Sequence, residues 1–245
     1  MVRTLAVIPA RLASSRLPRK VLREIAGRPM LAWVYEAARA CPQLDDVLIA
    51  VDSEEVLAVC KRNGWPAVMT SADLASGSDR VHAVAQTHPA EIYVNLQGDE
   101  PTLRPEHLTA LLQPFANPEV NVSTLKVRCT PENLSNPNAV KVVCDLAGRA
   151  LYFSRATLPY DREGQSPAVW KHIGLYAYRA KALRQFHTLP PSPLEHTEKL
   201  EQLRFLENGI PLYVAETPHD TIGVDTEEDL LRAARMLQLE SSSRT

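Results

Sequence analysis

LAVIPARLASSRLP, residues 5–18, decides the architecture. An unbroken apolar run leads into Pro9, and a run without polar alternation reads as a strand buried on both faces, about residues 4–8. A basic loop follows, with Arg11, Arg16 and Lys20 inside ten residues. Three cations that close repel one another unless an anion sits among them, and guanidinium forks suit phosphate oxygens. The plainer alternative is a solvated basic loop. No glycine lies in the stretch, so neither GxxxxGK nor GxGxxG is present.

Working outward, short apolar strands alternate with helices. A turn at Ala26-Gly27-Arg28 precedes Pro29 and a helix over 30–40, with Leu31, Val34 and Ala38 on one face. A strand over 47–51 follows, then a helix capped by Asp52 or Ser53 and stopped by Gly64. A short strand at 67–69, a helix over 79–86, a strand over 92–96 and a helix from Pro105 complete the first half. This is the pattern of a parallel sheet covered on both faces. After Val120, segments 121–127, 139–143, 150–153 and 173–178 are β-like with few helices between, which predicts an added antiparallel section. Helices return over 193–207 and 227–239, the last capped by Thr226.

The expected fold is therefore α/β: a Rossmann-like, mostly parallel sheet with helices on both faces and an antiparallel β-rich insertion. The expected organisation is one domain over residues 1–240, with the antiparallel section at about 120–180 and a disordered tail over 241–245. The 245 residues suffice for a sizeable core. Net charge is −2, with no global basic bias, which argues against nucleic acid as a partner, and an anion site must come from local cations. Cys41, Cys60, Cys129 and Cys144 form no CxxC pair and no zinc spacing, which predicts reduced thiols and a cytoplasmic protein. No stretch approaches the ~20 apolar residues of a membrane span.

In open α/β sheets, ligands bind at the carboxyl ends of the strands. Three groups sit there: Arg11 and Arg16; Gln97-Gly98-Asp99-Glu100; and Gly223-Val224-Asp225. Gly98 allows a sharp turn that leaves Asp99 at the rim. Carboxylates beside a phosphate site are what Mg²⁺ takes, since it prefers one or two of them plus substrate phosphates. The competing roles are an Asx-type turn for Asp99 and helix N-terminal chemistry for Asp225. Ser76-Gly77-Ser78-Asp79-Arg80 is a polar turn at a helix start, suited to a base or ribose or to simple capping. His172 and Tyr176 lie four apart on one strand, hence on the same face.

The segments IPARLASSRLPRK, SGSDR, NLQGDEP, NPNAVKVV, ALYFSRATLPYDR, HIGLYAYR, SPLEHTEKLEQLR and GIPLYV with GVDTEEDL occur in this order. Together they resemble the 3-deoxy-manno-octulosonate (Kdo) cytidylyltransferase family, over roughly residues 2–235. The resemblance implies a nucleotide-diphospho-sugar transferase type of fold. It implies a Mg²⁺-dependent, cytoplasmic homodimer that joins CTP and Kdo into CMP-Kdo and pyrophosphate for lipopolysaccharide synthesis. It places Ala10, Arg11, Ser14, Arg16, Lys20, Ser76, Gly77, Arg80, Gln97 and Asp99 about CTP. Gln97, Arg155, His172, Tyr176, Glu201, Gln202 and Asp225 would line the sugar pocket, and Asp99 and Asp225 would ligate Mg²⁺. Arg11, Lys20, Asp99 and Asp225 would be the catalytic set. Where the family often has glycine, Arg19 stands; Ser78 replaces a common threonine; and the loop over 161–171 is short. Other readings are another acid sugar (8-amino-Kdo or a sialic acid), a non-catalytic nucleotide-binding homologue, or a structural homodimer with a merely solvated basic loop.

Overall fold

A computed structural model describes residues 2–13, 16–164 and 168–242. The chain forms two compact units, one of residues 1–108 with 221–245 and one of residues 109–220.

In the first unit, β1 (Val2–Ala10), β4 (Asp46–Val51), β5 (Ala67–Met69) and β6 (Ala90–Asn95) form a parallel sheet in the order β5-β4-β1-β6. The apolar run that opened the sequence is its centre: Ala6, Val7 and Ile8 are fully buried, as are Ile49, Ala50 and Val51 beside them. Between the strands lie α1 (Met30–Arg39), α2 (Glu54–Arg62) and α3 (Gly77–Ala85). Ser53, not Asp52, caps α2, its hydroxyl accepting from Val56 N at 3.2 Å. A small hairpin, β2 (Glu24–Ile25) with β3 (Arg28–Pro29), turns at Ala26-Gly27, both at positive φ. The helix α8 (Glu227–Ser242) returns to this unit. Its Leu230, Ala233 and Leu237 recur at helical spacing and pack with Leu17, Ile25, Met30 and Val224. Ser241 and Ser242 of the expected tail continue that helix, and residues 243–245 lie outside the described ones.

Helix α4 (Pro105–Leu112) leads into the second unit, which is β-rich as expected. There β7 (Val122–Arg128) pairs antiparallel with β10 (Trp170–Arg179), and β8 (Lys141–Cys144) pairs antiparallel with both β10 and β9 (Ala150–Ser154). The late strand β11 (Tyr213–Glu216) runs parallel to β7. Phe153, Leu175, Leu203 and Leu212 are fully buried in its core. Helix α5 (Ala180–Thr188), absent from the sequence reading, follows β10 with Ala182, Leu183 and Phe186 inward. The single helix expected over 193–207 is two, α6 (Pro193–Glu198) and α7 (Leu203–Glu207), broken where Lys199 takes a left-handed conformation with φ 55°.

Candidate active site

Because β1, β4 and β6 are parallel neighbours, their carboxyl ends share one edge. Ala10 pairs with Val51 and Val7 with Asn95, so Arg11, Asp52 and Gln97 leave the sheet nearly side by side. The turn after β6 passes tightly against β1: a Cβ on Gly98 would lie 2.7 Å from the Pro9 carbonyl oxygen. Gly98 is therefore required by close approach, a stricter reason than the sharp turn the sequence suggests.

The third group joins this edge through backbone and core. Val224 N donates to Asp99 O at 2.9 Å, and Ile222 N to Thr102 Oγ1 at 2.8 Å. Leu17, between Arg16 and Lys20, is buried in the same apolar cluster as Val224, the neighbour of Asp225. Two apolar anchors thus bring cations and carboxylates together. Lys20 Nζ donates to Asp99 Oδ2 at 2.5 Å and to Asp225 Oδ1 at 2.9 Å. Arg16 Nη2 lies 3.0 Å from the other oxygen of Asp225. Burial pulls the Lys20 pKa down, but Asp99 and Asp225 outweigh it and hold the ammonium above its ordinary value. Helix capping does not consume Asp225. Thr226 and Asp229 form the reciprocal cap, with Asp229 N on Thr226 Oγ1 and Thr226 N on Asp229 Oδ2.

Arg19 precedes the short 3-10 turn Lys20–Leu22 at φ 56°, ψ 33°, the left-handed region in which glycine carries no Cβ penalty. The arginine here holds the same backbone shape and pairs with Glu55 across the surface.

Arg11 reaches Ala75 O with Nη1 at 3.2 Å, just before α3. Ser76 caps α3: its hydroxyl accepts from Asp79 N, and its own N–H donates to Asp79 Oδ2. Gly77 packs close to the Asn95 and Gln97 side-chain amides; a Cβ there would sit 3.5 and 3.6 Å from them. Asn95 Oδ1 is buried and without a hydrogen-bond partner among the described residues, so this corner can still accept a donor. Ala10 ends β1 fully buried and offers backbone only. Ser14 lies outside the described residues.

Arg80 is fully buried, an unusual place for a guanidinium. Its Nη1 donates to Thr70 Oγ1 and to Ser71 O, and its Nη2 lies 3.5 Å from Asp52 Oδ2. Burial lowers its pKa, Asp52 opposes that, and nearby Arg11 lowers it further. Asp52 Oδ1 also accepts from Leu12 N at 3.0 Å, so one carboxylate fixes both the buried arginine and the backbone of the basic loop. In the sequence Asp52 reads only as a helix cap. Its position after β4 is the signal that points to it, by the same rule that singles out Arg11 after β1.

Arg155, His172, Tyr176, Glu201 and Gln202 all belong to the second unit. His172 and Tyr176 are adjacent, ring centroids 5.6 Å apart, despite a register shift between Ile173 and Tyr176. Phe153 packs edge-on to His172 at 4.9 Å. Burial pushes the His172 pKa down to about 3, with Lys171 adding to the shift, so the ring is neutral near pH 7. Its Nε2 lies 2.9 Å from Thr124 Oγ1, which also lies 2.8 Å from Leu175 O. A hydroxyl has one proton. If Thr124 donates it to Leu175 O, Nε2 carries the imidazole hydrogen and Nδ1 is the acceptor. Arg155 donates through Nε to Glu198 O (2.8 Å), Nη1 to Pro137 O (3.0 Å) and Nη2 to Lys199 O (3.5 Å). It clamps the left-handed break that precedes Glu201 and Gln202. Gln202 Nε2 is buried with no partner among the described residues, a donor suited to a ligand oxygen.

The cytidylyltransferase family model matches residues 5–217 of this chain. The chain is 64% identical over 237 residues, 96% of both chains, to the 3-deoxy-manno-octulosonate cytidylyltransferase of Acidobacterium capsulatum. It is 59% identical to that of Koribacter versatilis, covering 97% of this chain and 91% of the other. A solved structure of CMP:2-keto-3-deoxy-manno-octonic acid synthetase complexed with CTP matches with a TM-score of 0.93 at 40% identity, over 97% of this chain and 99% of that one.

Proposed function

This chain belongs to the 3-deoxy-manno-octulosonate cytidylyltransferase family, and from that premise we propose that it joins CTP and Kdo to give CMP-Kdo and pyrophosphate. The observation that carries the reading is the convergence of Lys20, Asp99 and Asp225, from three separate segments, at the carboxyl edge of the sheet.

In this reaction the anomeric hydroxyl oxygen of the sugar attacks the α-phosphorus of CTP. The new O–P bond forms as the bond to the bridging oxygen breaks; pyrophosphate leaves with the electron pair, and the hydroxyl proton passes to water. Positioning and charge stabilisation carry such chemistry. Arg11, Arg16 and Lys20 hold the triphosphate and neutralise charge developing on the leaving group. The N-terminus of α3, with Gly77 beside Asn95 and Gln97, receives the nucleoside. In the second unit, Gln202 Nε2 offers the sugar a buried donor. Neutral His172 orients the sugar and is too weakly basic to take its proton.

Asp99 and Asp225 would hold Mg²⁺. Supporting this, both carboxylates already share one cation, the Lys20 ammonium, and their donors are the hard oxygens magnesium prefers. When bound, the ion would polarise the α-phosphate and lower the pKa of the attacking hydroxyl. The reading takes the protein as a cytoplasmic homodimer. Four free cysteines support a reducing compartment, and no helix among the described residues is long and apolar enough to cross a membrane. Supporting a second copy, the section at 120–180 leaves two large side chains exposed, Leu151 at 62% and Tyr160 at 88%.

The test is pyrophosphate release by the purified chain with CTP and Mg²⁺. Release with Kdo, far faster than with N-acetylneuraminate, is expected. Equal or faster turnover of N-acetylneuraminate, or none with Kdo, would overturn the assignment.

A further inference from the structure

The two carboxylates assigned to a divalent cation are already neutralised by the chain itself. Lys20, with its side chain only 14% exposed, binds both, and Arg16 takes the remaining oxygen of Asp225. Two negative charges thus face two positive ones. Among the described residues, no group of three or more His, Cys, Asp or Glu gathers to hold a metal. Two carboxylates alone leave most of a magnesium ion's six positions to water or substrate. A free divalent cation approaching this cluster gains little Coulomb energy and meets two like charges.

We propose that Lys20 and Arg16 couple metal binding to nucleotide binding: without nucleotide they occupy Asp99 and Asp225 and exclude a divalent cation, and a triphosphate opens the site by drawing them away. Both side chains can make that move. Lys20 is a point charge on a flexible four-carbon stem, and the Arg16 side chain is 66% exposed. A triphosphate outcompetes two carboxylates for them because it carries more charge and arrives with its own oxygens. By linkage, the metal then raises nucleotide affinity by the same factor by which nucleotide raises metal affinity. The inference rests on the reading above, in which the basic loop takes the triphosphate and the two aspartates take the ion.

The test is Mn²⁺ binding to the nucleotide-free protein, followed by the electron paramagnetic resonance of free Mn²⁺. Wild type is expected to bind weakly. Lys20→Met should bind about tenfold tighter or more, the gain expected when a partly buried counter-charge is removed. Arg16→Ala should bind a few-fold tighter, since its pair is exposed and screened. The Lys20→Met/Asp99→Asn double variant should return to weak binding, which ties the gain to this pair. Circular dichroism checks folding, and exposed Arg16 supplies a second variant should Lys20→Met misfold. Wild type binding Mn²⁺ as tightly as both single variants would overturn the proposal. If that happens while wild type still turns over CTP and Kdo, the coupling falls and the functional reading stands. If Lys20→Met gains an Asp99-dependent site while wild type releases no pyrophosphate, the charge competition stands and the functional reading falls.

Discussion

Asp52→Asn isolates a charge that the architecture depends on. The substitution keeps the side chain's size and an oxygen for the Leu12 amide, so the loop hydrogen bond can persist. What it removes is the negative charge 3.5 Å from the fully buried guanidinium of Arg80. Coulomb's law at that separation and an effective dielectric of about 20 gives ~5 kcal/mol. Breaking a buried pair by removing one partner typically costs about 3–5 kcal/mol, because the other charge is stranded. Arg80 keeps its bonds to Thr70 and Ser71, which places the expectation near the low end, ~3 kcal/mol. For a chain of this length that lowers Tm by roughly 6–12 °C. Arg11 then repels Arg80 unopposed, and the basic loop moves outward, so KM for CTP should rise. Urea and thermal denaturation measure the first effect, and initial rates against CTP concentration the second. The Asp52→Asn/Arg80→Met double variant should be less destabilised than the sum of its singles, because the stranded charge is gone. An Asp52→Asn protein within about 1 kcal/mol of wild type, with unchanged KM for CTP, would mean that Asp52 does not compensate the buried Arg80 charge.

Asp99→Asn and Asp225→Asn should each lose Mg²⁺-dependent pyrophosphate release by roughly a hundredfold or more while keeping the wild-type circular dichroism spectrum; near-normal turnover in either removes that residue from the site. Gly98→Ala places a Cβ 2.7 Å from Pro9 O, so strand ends must shift, costing about 1–3 kcal/mol and displacing Asp99; a Tm within a degree of wild type would contradict this. The His172 pKa is about 3 in the folded state, against about 6.5 unfolded, so the unfolded chain takes its proton first. Stability from this residue is therefore full above pH 6.5 and lost progressively as pH falls toward 3. Urea unfolding across that range should show the loss in wild type and a shallower one in His172→Gln; parallel profiles would refute it. Leu17→Ala should cost about 2–5 kcal/mol and weaken CTP binding, since Leu17 anchors the segment between Arg16 and Lys20.

Much of this was legible in the sequence because its signals are local. The run at 5–8 marks a doubly buried strand, and the rule that ligands bind at strand ends is enough to select Arg11, Asp99 and Asp225 as candidates, of which the fold gathers Asp99 and Asp225 on Lys20. What escaped depends on partners distant in sequence. Asp52 and Ser53 are both good caps by type, and only the fold shows that serine caps while aspartate faces Arg80, 28 residues on. Lys199 is neither glycine nor asparagine, so nothing local announces its left-handed break; Arg155, 44 residues away, is bonded to its carbonyl. Gly98 reads as a turn residue, yet its reason is the carbonyl of Pro9 on another strand. Arg155 enters the sequence reading only by resemblance, and its three backbone carbonyl partners, at Pro137, Glu198 and Lys199, lie 18 to 44 residues away, beyond any local pattern.

In the proposed reaction this chain transfers a cytidylyl group from CTP to the anomeric oxygen of Kdo. Its most direct test is phosphorus NMR of one reaction containing the purified protein, CTP, Mg²⁺ and Kdo labelled with ¹⁸O at the anomeric hydroxyl. One new phosphodiester signal bearing the ¹⁸O isotope shift is expected, with an equal amount of unlabelled pyrophosphate. No new phosphodiester, or a phosphodiester without the shift, would contradict it.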